Sequence, residues 1–203
     1  MPLPVAALIL AAGSATRMGR LKQLLPLGDR IVLCHSIDAL SQAGVNKIVV
    51  VCGPDPEKYE AALADSGARM VPNETPGSEM ADSVRLGLRQ IDCAAFSGIF
   101  VCLADHPLVR AETCRTMLRL HHQSLAKIII PSFLGRRGHP CLFPVSIIND
   151  IFSKTSLRDI VRQKPERLLV VDVPDEGVVL DMDTEPDYQK AVEVYRARAR
   201  EKT

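Results

Sequence analysis

Short aliphatic runs alternate with longer amphipathic stretches along most of the chain. "VAALIL" (5–10), "KIVVVCG" (47–53), "GIFVCLA" (98–104), "KIIIP" (127–131) and "LLVVDV" (168–173) are apolar at most positions and too short for helices. Such runs predict strands buried on both faces. Between them Leu33, Ile37 and Leu40 repeat at the i, i+4, i+7 spacing of one helical face, and Gly44 supplies a stop. Met80, Val84 and Leu88 repeat likewise, with Ser78 as the expected N-cap. Further helices fit residues 110–122 and 185–199. Strands alternating with helices predict an α/β fold, a mostly parallel sheet with helices on both faces. The stretch "PSFLGRRGHPCLFP" (131–144) breaks the rhythm and reads as a hairpin or flap near the sheet edge. No internal repeat or linker divides the chain, so one domain over 1–203 is expected.

Composition narrows the function classes. The 203 residues are 47% hydrophobic and 24% charged, as in an ordinary globular protein. A formal net charge of +1 argues against a nucleic-acid binder that relies on overall positive charge. The six cysteines form no C-x-x-C pair and sit mostly among apolar neighbours, as reduced buried thiols do. No Lys or Arg precedes the first apolar stretch and prolines interrupt it, so the charged start of a secretory signal is missing. No stretch approaches the roughly 18 apolar residues needed to span a bilayer. A cytoplasmic protein, with no nucleic-acid or membrane partner, is the expectation.

The candidate chemistry begins behind the first strand, in "LILAAGSATRMGRLKQLLP" (8–26). Ligands of open α/β sheets bind beyond the carboxyl ends of strands. Gly13 and Gly19 would let the backbone turn and aim N–H groups at an anion, with Arg17, Arg20 and Lys22 adding charge-assisted contacts. Neither G-x-x-x-x-G-K-[ST] nor G-x-G-x-x-G is present, and a solvated polar turn would read the same way. Asp105 follows another strand end, where a hard Mg²⁺ ion finds carboxylates, although Asp-His-Pro also suits a turn. Asp183 follows an apolar run with Asp181 two residues earlier; it could join Asp105 as a metal ligand or cap the last helix with Thr184. Of the histidines, His35, His121 and His122 lie on expected helices. His106 adjoins Asp105, and His139 stands beside Arg136 and Arg137, which suit a phosphate or an exposed hairpin tip equally.

The same opening loop resembles the signature of the nucleotidyltransferases that act on the molybdenum cofactor. "NETPGSEMADSVRLGL" (73–88), "VCLADHPLV" (101–109), "GRRGHPCLF" (135–143) and "DMDTEPDY" (181–188) resemble further motifs of that family, in order. Ala-Ala-Gly in the loop is similar to the cytidylyltransferase branch, and the chain departs from the family pattern at Ser14, Glu79, Ala81 and Asp82. The resemblance implies a Rossmann-like three-layer nucleotidyltransferase fold. It implies Mg²⁺-dependent cytidylyl transfer from CTP to molybdopterin with release of pyrophosphate. It places nucleotide binding on Ala11, Ala12, Gly13, Ser14, Arg17, Gly19, Lys22, Asn73 and Ser83, catalysis on Arg17, Lys22 and Asp105, and the metal on Asp105 and Asp183. Acceptor contacts would fall to His106, Arg137, Gly138 and His139. A phosphomonoester has a second pKa of about 6 and is already a dianionic nucleophile at neutral pH, so no Ser-His-Asp base is needed. The alternatives are transfer to another phosphomonoester, such as a sugar or alcohol phosphate, and a non-catalytic carrier that hands molybdenum cofactor to a dehydrogenase or other molybdoenzyme.

Overall fold

The structure, a computed structural model, describes residues 3–13, 20–75, 77–153 and 156–200. The chain opens with β1 (Val5–Ala11), then a short ribbon of β2 (Pro26–Leu27) and β3 (Arg30–Ile31) leads into α1 (Val32–Gln42). Next come β4 (Ile48–Cys52), α2 (Glu57–Leu63), β5 (Arg69–Pro72), α3 (Met80–Leu88), β6 (Gly98–Leu103) and α4 (Ala111–Gln123). The second half holds β7 (Ile128–Phe133), β8 (Arg136–Arg137), β9 (Cys141–Pro144), α5 (Val145–Ile148), α6 (Leu157–Gln163), β10 (Leu168–Asp172) and α7 (Glu185–Arg200). The main sheet runs β10-β7-β9-β6-β1-β4-β5, with β8 added to β7. Pairings β1–β4, β1–β6, β4–β5 and β7–β10 are parallel; β9 runs antiparallel between β6 and β7.

Every residue of β1 is buried, which its apolar run demands. Side chains alternate along a strand, so β1 feeds two cores. Val5, Ala7, Ile9 and Ala11 pack with Leu33, Ile37 and Leu40 of α1, Tyr59 of α2 and Met117 of α4. Ala6, Leu8 and Leu10 pack with Val84 and Leu88 of α3, Ile147 of α5 and Ile160 of α6. The result is three layers, helices on both faces of a mostly parallel sheet. Full burial of each large aliphatic contributes about 1.5–3 kcal/mol before entropy is charged against it. A third cluster, with Leu25, Leu27, Leu108, Met182 and Ala191, seats α7 on the β2–β3 ribbon. Gly44 ends α1 in the left-handed conformation, φ 93°.

Two local expectations differ. Ser78 does not cap α3: the N-cap is Glu79, whose N–H donates to the Asp82 carboxylate at 3.0 Å in a capping box. Nor does the 131–144 stretch stand at the edge of the sheet. Leu142 and Phe143, 0% and 2% exposed, bury into the two cores, and β9 therefore sits inside the sheet. Only the β7–β8 turn projects, with Leu134 86% exposed at its tip.

Candidate active site

The loop after β1 opens onto a cleft of about 850 Å³ at the carboxyl edge of the central strands. Ala11, Ala12 and Gly13 line it beside Arg20–Gln23; Ser14, Arg17 and Gly19, also expected at the nucleotide, lie outside the described residues. Where β1 ends, the Ala11 carbonyl accepts from Gln23 Nε2 at 2.6 Å and from the Tyr59 hydroxyl at 3.3 Å. Gln23 Nε2 also donates to the Tyr59 oxygen at 2.7 Å. Gln23 is only 3% exposed, so this buried set ties the one-turn 3₁₀ segment Lys22–Leu24 to the end of the strand. That anchorage delivers Lys22 to the cleft.

Three candidate residues meet there from distant parts of the chain. Lys22 Nζ donates to Asp105 Oδ2 at 2.7 Å and to Asp183 Oδ1 at 2.6 Å. Asp105 stands two residues beyond β6, with its other oxygen 2.8 Å from His106 Nδ1. Burial alone would raise the Asp105 carboxyl's pKa, but the hydrogen bonds and charges of His106 and Lys22 outweigh it and hold it well below the usual carboxylate range. Burial also works against the Lys22 ammonium, and the hydrogen bonds it donates to both aspartates, with their negative charges, overcome it, so its pKa is raised. Asp183 reaches the corner because its neighbour Met182 is buried under α7 and donates its N–H to the Asp105 carbonyl at 3.1 Å. Asp183 is not the cap of α7. Thr184 and Asp187 cap that helix, through Thr184 N–H and Oγ1 donating to Asp187 Oδ2 at 2.9 and 2.6 Å. Asp181 is exposed and does not line the cleft.

The opposite wall holds Asn73 and Ser83, whose polar groups are turned on each other. Asn73 Nδ2 donates to Ser83 Oγ at 3.0 Å and Ser78 Oγ at 2.9 Å, while Oδ1 accepts from Thr75 N–H at 3.2 Å. This network shapes the 73–83 loop along the cleft. Met80, 58% exposed, projects from the same wall.

The residues expected at the acceptor do not line the cleft among the described residues. His106 turns behind Asp105 and meets the His139 ring edge-on, centroids 5.1 Å apart. Both border a cavity of about 20 Å³ shared with Ser36, Cys102 and Cys114, room for one water at most. Burial, then the neighbouring His106, pushes the His139 pKa down to about 4. Gly138 is packed so closely that a Cβ would lie 1.9 Å from the Val178 carbonyl oxygen, and His139 N–H donates to that oxygen at 2.8 Å. Arg137 is exposed on β8. The Arg-Gly-His-Pro element thus locks onto the 176–178 turn, because β9 must turn inward to pair with β6.

Gln23 and Tyr59 were not singled out by sequence. A glutamine and a tyrosine show no periodic signal, and only the Ala11 carbonyl at the end of β1 gives them a task. Among the described residues no group of three or more His, Cys, Asp or Glu side chains could hold a metal. Two carboxylates already converging on one cation nevertheless suit a hard divalent ion, which takes one or two carboxylates and completes its shell with phosphate oxygens and water.

Residues 7–168 match the family model of the MobA-like NTP transferase domain. The chain belongs to that family. It is a nucleotidyltransferase with the family's α/β three-layer fold. Among curated relatives, nicotine blue oxidoreductase from Paenarthrobacter nicotinovorans is 29% identical over 193 residues, covering 89% of this chain and 92% of that protein. The bifunctional protein GlmU of Rhizorhabdus wittichii is 37% identical over 134 residues, covering 64% of this chain and 29% of that protein. The chain therefore spans less than a third of the length of the GlmU it matches. The solved structure of Rv0371c from Mycobacterium tuberculosis H37Rv is 27% identical with a TM-score of 0.80, covering 95% of this chain and 99% of that one. A second structure of Rv0371c, 26% identical with a TM-score of 0.75, is a complex with manganese and covers 95% of this chain and 100% of that one. No described helix of this MobA-like transferase is long and apolar enough to cross a membrane.

Proposed function

We propose that this MobA-like transferase is a CTP:molybdenum cofactor cytidylyltransferase that depends on Mg²⁺ and releases pyrophosphate. The observation that carries the reading is the meeting of Lys22, Asp105 and Asp183 beside Gly13 at the carboxyl edge of the sheet. Asp105 and Asp183 would hold the divalent ion. Bound there, such an ion polarises a phosphoryl oxygen and offsets the charge that develops during transfer. The acceptor's phosphate oxygen forms a bond to the α-phosphorus of CTP as the bond to the bridging oxygen of the β-phosphate breaks. Pyrophosphate carries the electron pair away. Lys22, with Arg17 from the loop, would neutralise that leaving group, and the backbone N–H groups around Gly13 would cradle the phosphates. His106 supports Asp105 from behind. The methyl group of Ala12 on the cleft floor narrows the room for a base, which favours cytosine over a purine.

A second reading, transfer to another phosphomonoester such as a sugar phosphate, keeps Lys22, Asp105 and Asp183 in the same roles and changes only the acceptor. One assay separates the two. The protein is incubated with each nucleoside triphosphate and Mg²⁺, with molybdopterin, with a panel of sugar and alcohol phosphates, or with no acceptor, and pyrophosphate is measured. Release that requires both CTP and molybdopterin supports the first reading. Release that requires a sugar or alcohol phosphate supports the second. Release with neither defeats both.

A further inference from the structure

The Ala11 carbonyl takes two side-chain hydrogen bonds at the point where β1 leaves the sheet. Gln23 Nε2 donates to it at 2.6 Å and the Tyr59 hydroxyl at 3.3 Å, while Gln23 Nε2 also donates to the Tyr59 oxygen at 2.7 Å. Gln23 and Tyr59 are 3% and 0% exposed and come from different elements. Packing alone asks for neither polar group, since a phenylalanine fills nearly the volume of a tyrosine.

The sheet fixes which way that peptide faces. β1 lies between β4 and β6. Ala7 N–H donates to the Lys47 carbonyl beside β4, and the Leu10 carbonyl accepts from Ala104 N–H beside β6. Backbone groups of successive strand residues point to opposite neighbours, so odd-numbered residues of β1 turn theirs toward β4 and even-numbered ones toward β6. The Ala11 carbonyl therefore lies on the β4 side, where Tyr59 of α2 stands. A trans peptide sets the following N–H opposite its carbonyl. The Ala12 N–H is thereby aimed to the β6 side, where Leu103, Ala104 and Asp105 line the cleft. The β1–β6 ladder has ended there, and no hydrogen bond from the Ala12 N–H is found among the described residues.

We propose that Tyr59 and Gln23 are positioning residues: by occupying both lone pairs of the Ala11 carbonyl they hold the Ala11–Ala12 peptide so that the Ala12 N–H stays presented to a phosphate oxygen in the cleft. The inference rests on the reading of the cleft as a nucleotide site. What it adds is the pair of buried side chains, remote from the substrate, that keeps one donor in place before the ligand arrives. A donor fixed in advance costs no reorganisation when the anion binds. Without the hydroxyl and the amide, that carbonyl loses its side-chain donors, and the peptide can turn its oxygen toward the phosphates instead of its N–H.

Binding tests this without turnover. Amide ¹⁵N–¹H spectra are recorded while the protein is titrated, in the presence of Mg²⁺, with a CTP analogue carrying a methylene between the α- and β-phosphorus atoms. The proteins are the unsubstituted chain, Tyr59→Phe and Gln23→Met, each checked for folding by circular dichroism. In the unsubstituted chain the analogue should move the Ala12 amide proton downfield, as on gaining an acceptor, and should also shift the amides of Asn73 and Ser83 on the opposite wall. Tyr59→Phe should weaken the analogue about 3- to 10-fold and Gln23→Met about 10-fold, each the loss of hydrogen bonding at one carbonyl. At saturation the Ala12 shift should shrink in both variants while the Asn73 and Ser83 shifts persist. A general loosening would shrink the shifts on both walls alike, and that result overturns the positioning role. So does an Ala12 amide that the bound analogue leaves unmoved in the unsubstituted chain, or an unaltered affinity in Tyr59→Phe. In those three cases the analogue still binds and the nucleotide site stands. If no cleft amide of the unsubstituted chain responds to the analogue, the nucleotide reading fails and the inference with it. Should Gln23→Met not fold, Tyr59→Phe decides alone.

Discussion

Asp105 has two sides, and they are built differently. On the cleft side its Oδ2 faces the Lys22 ammonium and, across it, Asp183, in a partly open corner. On the far side Oδ1 meets His106, behind which His139, Gly138 and the 176–178 turn close up with almost no free volume. One side holds a lysine and two carboxylates in a partly open corner; the other holds two imidazole rings and a glycine packed against the 176–178 turn. Polar residues close together in sequence, Asp105 with His106 or Arg137 with His139, need not share a task. What separates them is which layer each faces.

Substitutions on the two sides should therefore fail differently. The largest effect belongs to Asp105→Asn, which keeps the shape and removes the charge. Turnover should fall on the order of 10²–10³-fold, while nucleotide binding measured without metal survives. A variant that still turns over normally would remove Asp105 from the chemistry. Lys22→Ala comes next, with a loss on the order of 10²-fold in kcat and a melting temperature shifted far less than the kinetics imply. Near-normal turnover there would return Lys22 to a purely structural role.

On the far side the effect should be on stability. Gly138→Ala drives a methyl group into the Val178 carbonyl, and such overpacking costs about 1–3 kcal/mol. Thermal melting should register a drop of several degrees, while the folded fraction keeps its kcat. A fall in kcat with unchanged melting would mean that the Arg-Gly-His-Pro element touches substrate after all. The smallest effect concerns pH. Burial holds the His139 pKa at about 4, below its ordinary 6.5, so between those values the unfolded chain binds the extra proton and stability is lost as pH falls. His139→Gln should flatten the fall in melting temperature across that window relative to the unsubstituted chain. An unaltered slope would show that His139 is not held neutral by its surroundings.

The alternation of aliphatic runs and helical faces made the layered fold legible, since β1, β4, β6, α1 and α3 each carry an unbroken local pattern. Elements with few buried positions were not singled out. In β5 only Val71 is buried, and α2 buries just Tyr59 and Leu63, so neither carries a periodic signal of its own. The strand-end position of Asp105 was readable because a carboxylate directly after an apolar run lands at the sheet's carboxyl edge. The place of His139 was not, because it depends on β9 pairing antiparallel with β6, a contact between residues some 40 positions apart that no local pattern encodes. The choice of Glu79 over Ser78 as the α3 cap turned on Asp82, three residues on, reaching back to the Glu79 N–H.

The proposed transfer requires a divalent ion and a triphosphate to meet at the Asp105–Asp183 corner. A crystal structure with the methylene CTP analogue and Mn²⁺, read from the anomalous signal of the metal, tests it most directly. A single metal peak in contact with carboxylate oxygens of both Asp105 and Asp183, with Lys22 Nζ moved onto phosphate oxygens, is the expected result. A metal peak away from both aspartates, with Lys22 still bonded to the pair, would contradict it.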